Sequence, residues 1–569
     1  MAVENLSIPD DFPINLLLRW VSQPAWLQLP SMAKRSWREV QANGPVPNGS
    51  EHVGVWPLDE HNAKLLDAVH PRTWETPDRP DDFVYDLVAV GAGAGGLVSA
   101  KQSARRGARS ALIEQHLAGG DCLNVGCVPS KALLRCARAV AELRRGDLGL
   151  SDCTAAVDFG KVMERMRRLR AEIAPVDSHE TSQAVGVDVY MGKATFVGPH
   201  ELRVGERHLR FRKAVIATGG RAKVPPIPGL EQTPFLTNAT LFNLTALPKR
   251  FMVLGAGPIS LEMAQAFRRF GSEVTVLEVA PEIMGAEDSD AAALIREVFR
   301  EEGIQVFTNC SVSSVSHRLE SSSGGPEIRL TVAVSGAAPV EMVCDALLVA
   351  TGRTPNIEGL GLEAANVECS SGGVKVKDDL TTSNPDILAI GDVIERPDTR
   401  FTHMSGTMAG MAVQTALFGD SDALPVNAAS RKLSQLVVPR CTYTEPEVAS
   451  CGVSNEKLAS RANLEVDVFK VSTEHNDRAI LEGTTRGYVK ILCRKGTEEI
   501  VGATIVAEHA GEMLAEITLA IQHGIGLSQI ARTVHPYPTL GEAVQQCALN
   551  YNRASWAKLG RPGEAGYKS

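Results

Sequence analysis

The fold is decided by the stretch Asp86-Leu87-Val88-Ala89-Val90-Gly91-Ala92-Gly93-Ala94-Gly95-Gly96. Its first half is a short apolar run that ends at a glycine, which is typical of a buried parallel strand. The residues that follow predict a helix from Leu97 to Arg106 and a second strand over Ser110 to Glu114. Strand, glycine turn, helix and strand in this order indicate an α/β fold.

The glycines of this stretch have the spacing of a dinucleotide-binding loop. Gly91 permits the tight turn, Gly93 lets the backbone approach a pyrophosphate, and Gly96 lets helix and strand pack closely. The helix N-terminus offers free N–H groups and partial positive charge to phosphates. Glu114 lies 23 residues beyond Gly91, where a carboxylate accepts hydrogen bonds from a ribose diol. The stretch therefore predicts a dinucleotide site, and the alternative is a glycine-rich loop that serves only packing.

A second copy of this unit occurs later in the chain. Strands are predicted over Phe251–Leu254 and Glu273–Glu278, and the loop Gly255-Ala256-Gly257-Pro258-Ile259-Ser260 has serine in the third glycine position. Glu278 again lies 23 residues beyond the first glycine. A carboxylate there favours the free 2′-hydroxyl of NADH and repels the 2′-phosphate of NADPH. The repeat predicts two nucleotide-binding domains and a preference for NADH.

The pattern of predicted elements changes after about residue 428. Three strands of an antiparallel sheet are predicted over Val466–Val471, Gly487–Leu492 and Ile500–Val506. A helix is predicted over Gly511–His523, ending at Gly524. This part predicts an α+β domain without a nucleotide fingerprint.

Two cysteines follow the first unit, in Gly119-Gly120-Asp121-Cys122-Leu123-Asn124-Val125-Gly126-Cys127-Val128-Pro129-Ser130-Lys131. At this spacing they lie on different faces of a regular helix. They can bond if the first turn is irregular, which Gly126 and Pro129 favour. A helix N-terminus and a nearby lysine both lower a thiol pKa, and the thiolate attacks disulfides and binds soft metals. The alternative is a pair of structural thiols without a redox role.

This cysteine segment resembles the active-site signature of the pyridine nucleotide–disulfide oxidoreductases, which include dihydrolipoamide dehydrogenase, glutathione reductase and mercuric reductase. The resemblance implies FAD and NADH or NADPH as cofactors. It implies that Cys127 lies against the flavin and that Cys122 is the outer thiol that meets the substrate. Lys131 is expected near the flavin, paired with Glu262. Asp121 departs from the threonine that dihydrolipoamide dehydrogenases usually carry.

Other segments extend the resemblance over about residues 83–555. The turn Ala217-Thr218-Gly219 and the motif Ala389-Ile390-Gly391-Asp392 resemble segments that contact FAD in the family. Ala350-Thr351-Gly352-Arg353-Thr354-Pro355-Asn356 resembles a further strand-end turn, and its Gly352 is assigned to the NAD(P) site.

These observations predict two Rossmann-like dinucleotide-binding domains and a C-terminal α+β dimerisation domain. The resemblance also implies a homodimer whose active site is shared between subunits. The expected boundaries are an N-terminal extension at 1–82, an FAD domain at 83–235 and 353–427, an NAD(P) domain at 236–352 and a dimerisation domain at 428–560.

The segment His535-Pro536-Tyr537-Pro538-Thr539-Leu540-Gly541-Glu542 bears on the substrate. In dihydrolipoamide dehydrogenases, a histidine immediately before Pro-Thr is the general base and a glutamate five residues later orients it. Glu542 matches, but Tyr537 occupies the position of the base. A tyrosine, with an ordinary pKa near 10, is a poor base at neutral pH and a usable hydrogen-bond donor or metal-facing oxygen. His535 either substitutes as the base or is a capping or surface histidine.

Tyrosine at this position resembles mercuric reductases. The sequence therefore predicts an NAD(P)H-dependent flavoprotein that reduces Hg(II) or a disulfide, with Cys122 and Cys127 as transient Hg(II) ligands. Residues 1–82 contain no cysteine and residues 561–569 lack the C-terminal cysteine pair of mercuric reductases, so poor capture of thiol-bound mercury is expected. One alternative is a dihydrolipoyl dehydrogenase, and another is a non-catalytic redox sensor or scaffold.

Composition narrows the function classes. With 44% hydrophobic and 22% charged residues, the 569-residue chain is an ordinary globular protein. Its net charge of −9 argues against a nucleic-acid binder. Eleven cysteines are too dilute for a disulfide scaffold. The start MAVENLSIPDD lacks the features of a signal or transit peptide and predicts a cytoplasmic protein.

Residues 1–82 form an extension rich in proline that holds five of the six tryptophans. One interpretation is an arm packed on the main body. The other is a docking arm for a partner or a membrane surface, because exposed tryptophans favour interfaces.

Overall fold

A computed structural model describes residues 54–146, 148–149, 156–318, 327–419 and 432–557. Its first part contains six helices: α1 (Glu60–Val69), α2 (Ala94–Arg105), α3 (Gly120–Val125), α4 (Cys127–Arg145), α5 (Phe159–Ile173) and α6 (His179–Ala184). It contains seven strands: β1 (Val84–Val90), β2 (Ser110–Glu114), β3 (Val187–Met191), β4 (Ala194–Gly198), β5 (Glu201–Val204), β6 (Arg207–Ile216) and β7 (Gly220–Ala222).

The central sheet places the first glycine loop at its middle. Strands β3, β2, β1 and β6 pair in parallel in that order, and β5 and β4 continue the sheet in antiparallel pairing. Leu87, Val88 and Ala89 of β1 are fully buried, as expected for a parallel strand covered on both faces. Helix α2 begins three residues earlier than predicted, because Gly93 is its extended N-cap residue and the glycines Gly95 and Gly96 lie within it.

The second glycine loop lies in a separate parallel sheet. Its strand order is β10, β9, β8 and β14, and an antiparallel three-stranded sheet of β11, β12 and β13 follows β10 in the chain. The helices are α7 (Asn238–Leu241), α8 (Pro258–Phe270) and α9 (Ser289–Glu302). The strands are β8 (Arg250–Leu254), β9 (Glu273–Leu277), β10 (Gln305–Phe307), β11 (Cys310–Arg318), β12 (Glu327–Val334), β13 (Val340–Cys344) and β14 (Ala346–Val349).

The chain then returns to the first sheet. The returning elements are β15 (Arg353–Pro355), β16 (Cys369–Ser370), β17 (Gly373–Val374), β18 (Ile387–Ala389) and α10 (Thr402–Phe418). Strand β15 pairs with β7, and β18 pairs in parallel with β6. Segments before and after the second nucleotide unit therefore share one sheet.

The C-terminal part is an antiparallel sheet covered by helices, as predicted, but it has five strands where three were expected. Their order is β19, β20, β23, β22 and β21. The strands are β19 (Arg440–Thr442), β20 (Glu447–Gly452), β21 (Val466–Ser472), β22 (Tyr488–Arg494) and β23 (Ile500–Ala507). The helices are α11 (Glu456–Arg461), α12 (Asp477–Glu482), α13 (Ala510–His523), α14 (Leu527–Arg532) and α15 (Glu542–Ala557).

The described part of the predicted extension packs on the first sheet. Leu65 and Val69 of α1 are fully buried, and the Trp74 indole N–H donates to the Val189 carbonyl at 2.9 Å. Residues 54–82 thus form an arm packed on the main body. Three of the extension's tryptophans, Trp20, Trp26 and Trp37, lie outside the described residues. No helix in the described part of the chain combines the length and apolar content needed to cross a membrane.

Candidate active site

The first glycine loop is held by the carboxylate of Glu114. Its Oε2 accepts the Ala92 N–H at 2.6 Å and its Oε1 accepts the His116 N–H at 2.7 Å. Burial raises the pKa of Glu114. A Cβ atom at Gly96 would overlap the Gly91 carbonyl oxygen, so glycine is required where α2 crosses β1. These residues fit a dinucleotide, because the N-cap residue Gly93 has no side chain to occupy the first N–H groups of α2, and those groups can face phosphates.

The second loop repeats this geometry. Glu278 accepts the Ala256 N–H at 2.6 Å and the Ala280 N–H at 2.8 Å. Ser260 is fully buried, with its hydroxyl 3.4 Å from the Ala350 carbonyl oxygen, so the serine is accommodated in the third glycine position. The residues at this loop fit a second dinucleotide, as the predicted NAD(P) site requires.

The two strand-end turns contact each other. The Thr218 hydroxyl donates to the Asn356 carbonyl at 2.7 Å, and the Asn356 N–H donates to the Gly219 carbonyl at 3.0 Å. Gly352 accepts the Lys223 N–H at 2.9 Å in the same region. The predicted turns therefore form one structure beside β7 and β15.

Asp392 and Asp121 are joined by an arginine that the sequence interpretation did not single out. Gly391 and Asp392 begin a short 3-10 helix, and the Arg353 guanidinium donates to Asp392 at 2.9 Å and to Asp121 at 2.6 Å. Arg353 also donates to the Gly220 carbonyl at 2.7 Å. The negative charge of Asp121, which stands in place of the usual threonine, is thereby paired with the Arg353 cation. The unexpected carboxylate in the cysteine segment was the sequence feature from which such a partner could have been predicted.

The cysteine segment contains the irregular turn that the spacing requires. Helix α3 ends at Val125 and α4 begins at Cys127, with Gly126 between them at φ −137° and ψ −112°. A Cβ atom at Gly126 would lie 2.7 Å from the Asp121 carbonyl oxygen, so the turn needs glycine. Both cysteines are free thiols in the structure; Cys127 is exposed and Cys122 is half-buried.

Cys127 is the more acidic of the two thiols. The pKa of Cys127 is lowered to about 6, first by a hydrogen bond from Cys122 and then by Thr402 and Lys131, against the opposing effect of burial. The Thr402 hydroxyl oxygen lies 3.4 Å from the Cys127 sulfur, and Cys127 is the first residue of α4, where the helix dipole favours an anion. The same hydrogen bond raises the pKa of Cys122. Cys127 is thus suited to carry a thiolate and Cys122 to carry a proton.

Lys131 and Glu262 form the expected pair. The Lys131 ammonium donates to Glu262 at 2.9 Å and lies 4.2 Å from the centre of the Tyr443 ring. The buried Glu262 carboxylate also accepts the Tyr443 N–H at 3.0 Å. This contact joins α4, which carries Lys131, to α8, which carries Glu262, and to Tyr443, the residue that follows β19.

In the C-terminal segment, His535 and Tyr537 have different surroundings. The His535 ring is buried, with Nε2 3.0 Å from Glu516 and Nδ1 3.0 Å from the Thr533 carbonyl. Tyr537 is 70% exposed and donates to Asp477 at 2.8 Å, a hydrogen bond that raises the pKa of the phenol.

Glu542 begins α15 and accepts the Thr539 N–H at 3.3 Å. Within the described part of this single chain, no hydrogen bond joins His535, Tyr537 or Glu542 to either redox cysteine.

Two family models match the chain. The pyridine nucleotide-disulphide oxidoreductase model matches residues 85–416, and the dimerisation domain of the same family matches residues 438–548. The family uses FAD and NAD(P)H, and its dimerisation domain indicates a homodimer.

Curated relatives include two kinds of enzyme. A mercuric reductase from Lysinibacillus sphaericus is 30% identical over 92% of this chain and 92% of its own length. A mercuric reductase from Streptomyces lividans and a dihydrolipoyl dehydrogenase from Thermus scotoductus are each 34% identical, over 82% of this chain and 96% of the relative.

Solved structures agree with this grouping. The HOCl-induced flavoprotein disulfide reductase RclA from Escherichia coli is 28% identical, covers 81% of this chain and 99% of its own, and has a TM-score of 0.70. Its Cu(II) complex is 27% identical over 82% of this chain and 99% of its own, with a TM-score of 0.71. The chain belongs to the pyridine nucleotide-disulphide oxidoreductase family.

Proposed function

We propose that this protein reduces a soft, thiol-reactive acceptor, Hg(II) in the first instance or a disulfide, with electrons from NADH or NADPH. The observation that carries the proposal is the dithiol of Cys122 and Cys127, in which the pKa of Cys127 is lowered to about 6. Two adjacent sulfur ligands, one of them a thiolate at neutral pH, suit a soft metal ion. Both cysteines serve as the transient Hg(II) ligands.

FAD, when bound, supplies hydride acceptance from the nicotinamide and two-electron transfer to the disulfide. For mercury, the balance is NAD(P)H plus Hg(II) giving NAD(P)⁺, a proton and Hg(0). For a disulfide, NAD(P)H and a proton reduce the acceptor to two thiols. Gly91, Gly93, Gly96 and Glu114 hold the FAD dinucleotide, with Thr218, Gly219, Gly391 and Asp392 beside it. The nicotinamide cofactor is held by Gly255, Gly257, Ser260, Glu262, Glu278 and Gly352, and Glu278 favours NADH.

Tyr537 favours a metal ion over dihydrolipoamide as the substrate. Thiol exchange with dihydrolipoamide needs a base near neutral pH, and the hydrogen bond to Asp477 moves the pKa of Tyr537 further from that range. The other candidate base, His535, is engaged by Glu516 and the Thr533 carbonyl. In the homodimer, Tyr537 of one subunit faces the cysteine pair of the other and Glu542 supports the segment.

An anaerobic acceptor screen on flavin-loaded protein tests the proposal. NADH oxidation is followed with HgCl2, Cu(II), glutathione disulfide and lipoamide, and NAD⁺ reduction is followed with dihydrolipoamide. Cu(II) is included because a structural neighbour binds it. We expect a rate with HgCl2 at least about tenfold above the rate with lipoamide, and Cys127→Ser abolishes it.

Efficient lipoamide turnover would instead favour a dihydrolipoyl dehydrogenase and contradict the role given to Tyr537. Tyr537→His sharpens the choice, because our proposal permits a gain in lipoamide turnover and the lipoamide hypothesis gives no reason for one. No turnover with any acceptor would favour a redox sensor.

A further inference from the structure

The N-terminal segment, residues 54–80, touches residues 116–127, here called the redox loop, although the segment lies outside the part of the chain that the family model matches. The Ala118 N–H donates to the Val69 carbonyl at 3.0 Å. The Nδ1 atom of His70 lies 2.5 Å from the His116 carbonyl oxygen. The end of α1 is therefore bonded to the residues that lead into Cys122.

A second connection runs through a buried arginine to the middle of the redox loop. One Nη atom of Arg170, on α5, donates to the Asn62 side-chain oxygen at 2.7 Å, and the other donates to the Asn124 carbonyl at 2.6 Å. Asn124 lies between the two redox cysteines in sequence. Its side chain donates to the Ala118 carbonyl at 3.0 Å and to the Gly120 carbonyl at 2.9 Å.

Arg170 is an unusual group for an interior position. It is 1% exposed, and burial lowers its pKa to about 10. Among the described residues, its two hydrogen-bond acceptors are neutral and its Nε finds no partner. Asp59, the N-cap residue of α1, accepts a hydrogen bond from Arg167 at 2.5 Å. Because an unpaired buried charge is costly, packing alone does not account for an arginine at this position.

We propose that the N-terminal segment positions the redox pair, with Asn62 acting through Arg170 to fix the Asn124 carbonyl. Asn62 and Arg170 are positioning residues that keep Cys122 and Cys127 within bonding reach. The inference rests on the redox role of the pair in the proposed function. Holding two thiols together raises their effective concentration and favours the disulfide. A substitution that releases the Asn124 carbonyl from Arg170 lowers this effective concentration and makes the disulfide less stable.

The test measures the disulfide equilibrium of the flavin-loaded protein in the absence of NADH, NADPH and Hg(II). In glutathione buffers the dithiol and one glutathione disulfide give the protein disulfide and two glutathione molecules, and acid quenching followed by alkylation counts the free thiols. We expect Asn62→Ala to lower the equilibrium constant about tenfold, which is about 30 mV for a two-electron couple.

Trp74→Phe is the matched control, since it removes one hydrogen bond of the same segment, to Val189, without touching the redox loop. We expect it to leave the equilibrium constant unchanged. Asn62→Asp loses the donation of the Asn62 amide to the Pro57 carbonyl at 2.6 Å but retains an oxygen that accepts from Arg170, so it restores the equilibrium towards the wild-type value. If Asn62→Ala does not accumulate as folded flavoprotein, Asn62→Ser answers the same question.

Three results would overturn the inference: an unchanged equilibrium in Asn62→Ala, an equal shift in Trp74→Phe, or no recovery in Asn62→Asp. Each leaves a working disulfide in the wild-type protein and so leaves the proposed function standing. A wild-type pair that forms no disulfide in any glutathione buffer contradicts the proposed function itself.

Discussion

The two glycine loops of this protein have the same local geometry and different surroundings. In both, a carboxylate 23 residues beyond the first glycine accepts a loop N–H at 2.6 Å. In the first loop, a Cβ atom at Gly93 would lie 3.9 Å from the Cα of Gly120, where the cysteine segment begins. At Gly257 of the second loop, the described residues place no heavy atom within 4 Å of the same position.

The comparison indicates that nucleotide binding and thiol chemistry depend on different segments of the chain. The loop and its carboxylate place a nucleotide in either unit, but only the first unit is followed by a segment that brings a dithiol to it. The third loop position differs as well. At Gly96 the Gly91 carbonyl leaves no room for a side chain, whereas the Ser260 side chain fits with its hydroxyl near the Ala350 carbonyl.

The largest effect is expected from Gly96→Ala compared with Ser260→Ala. The new Cβ atom at residue 96 overlaps the Gly91 carbonyl oxygen, and we expect loss of FAD and a free energy of unfolding lower by about 3 kcal/mol or more. Ser260→Ala removes only a long hydroxyl contact, so we expect a change within about 1 kcal/mol. Flavin content and chemical unfolding measure both. Equal effects at the two positions would contradict the difference between the loops.

A smaller effect is expected on the choice of nicotinamide. Glu278→Ala removes the carboxylate that repels a 2′-phosphate, so the ratio of kcat/KM for NADH over NADPH falls about tenfold. Glu114→Ala, at the equivalent position of the first loop, weakens FAD retention and leaves that ratio unchanged. Steady-state kinetics with both nucleotides check the pair. An unchanged ratio in Glu278→Ala would remove the basis for the predicted NADH preference.

The smallest effect is expected at Cys127, the acidic thiol that follows the first glycine loop and has no counterpart at the second. Thr402→Ala removes a hydrogen bond to the Cys127 thiolate, which raises the pKa of Cys127 from about 6. A hydrogen bond to a charged group is worth about 1.5 kcal/mol or more, so we expect a rise of about one unit. The thiolate exists above the pKa, and the midpoint of alkylation rate against pH therefore moves to higher pH.

Thr407→Ala is the control on the same helix, because among the residues that the structure describes the Thr407 hydroxyl bonds only to the His403 carbonyl, at 3.0 Å. Its midpoint stays at the wild-type value. Identical midpoints in Thr402→Ala and the wild type would show that Thr402 does not stabilise the thiolate.

The sequence was sufficient for the elements with strong local patterns. The first strand was predicted within β1, the strand Ser110–Glu114 with both ends correct, and the break between the cysteines from Gly126. These features depend on neighbouring residues, so spacing and glycine position determine them.

The features that were missed depend on distant contacts or weak patterns. Strand β19 has three residues, and β20 is buried at every residue except Gly452, so neither alternates. Thr402 is 275 residues from Cys127, and Arg353 is 232 residues from Asp121. Only the folded chain brings such pairs together.

The central claim is that Cys122 and Cys127 accept the electrons that the nicotinamide delivers at the flavin. Anaerobic titration of flavin-loaded protein with NADH, combined with thiol counting, tests it most directly. The account predicts that the wild-type protein, oxidised beforehand, takes up twice as many electrons per subunit as Cys127→Ser and gains two thiols in doing so. Equal uptake by the two proteins, with no new thiols in the wild type, would contradict it.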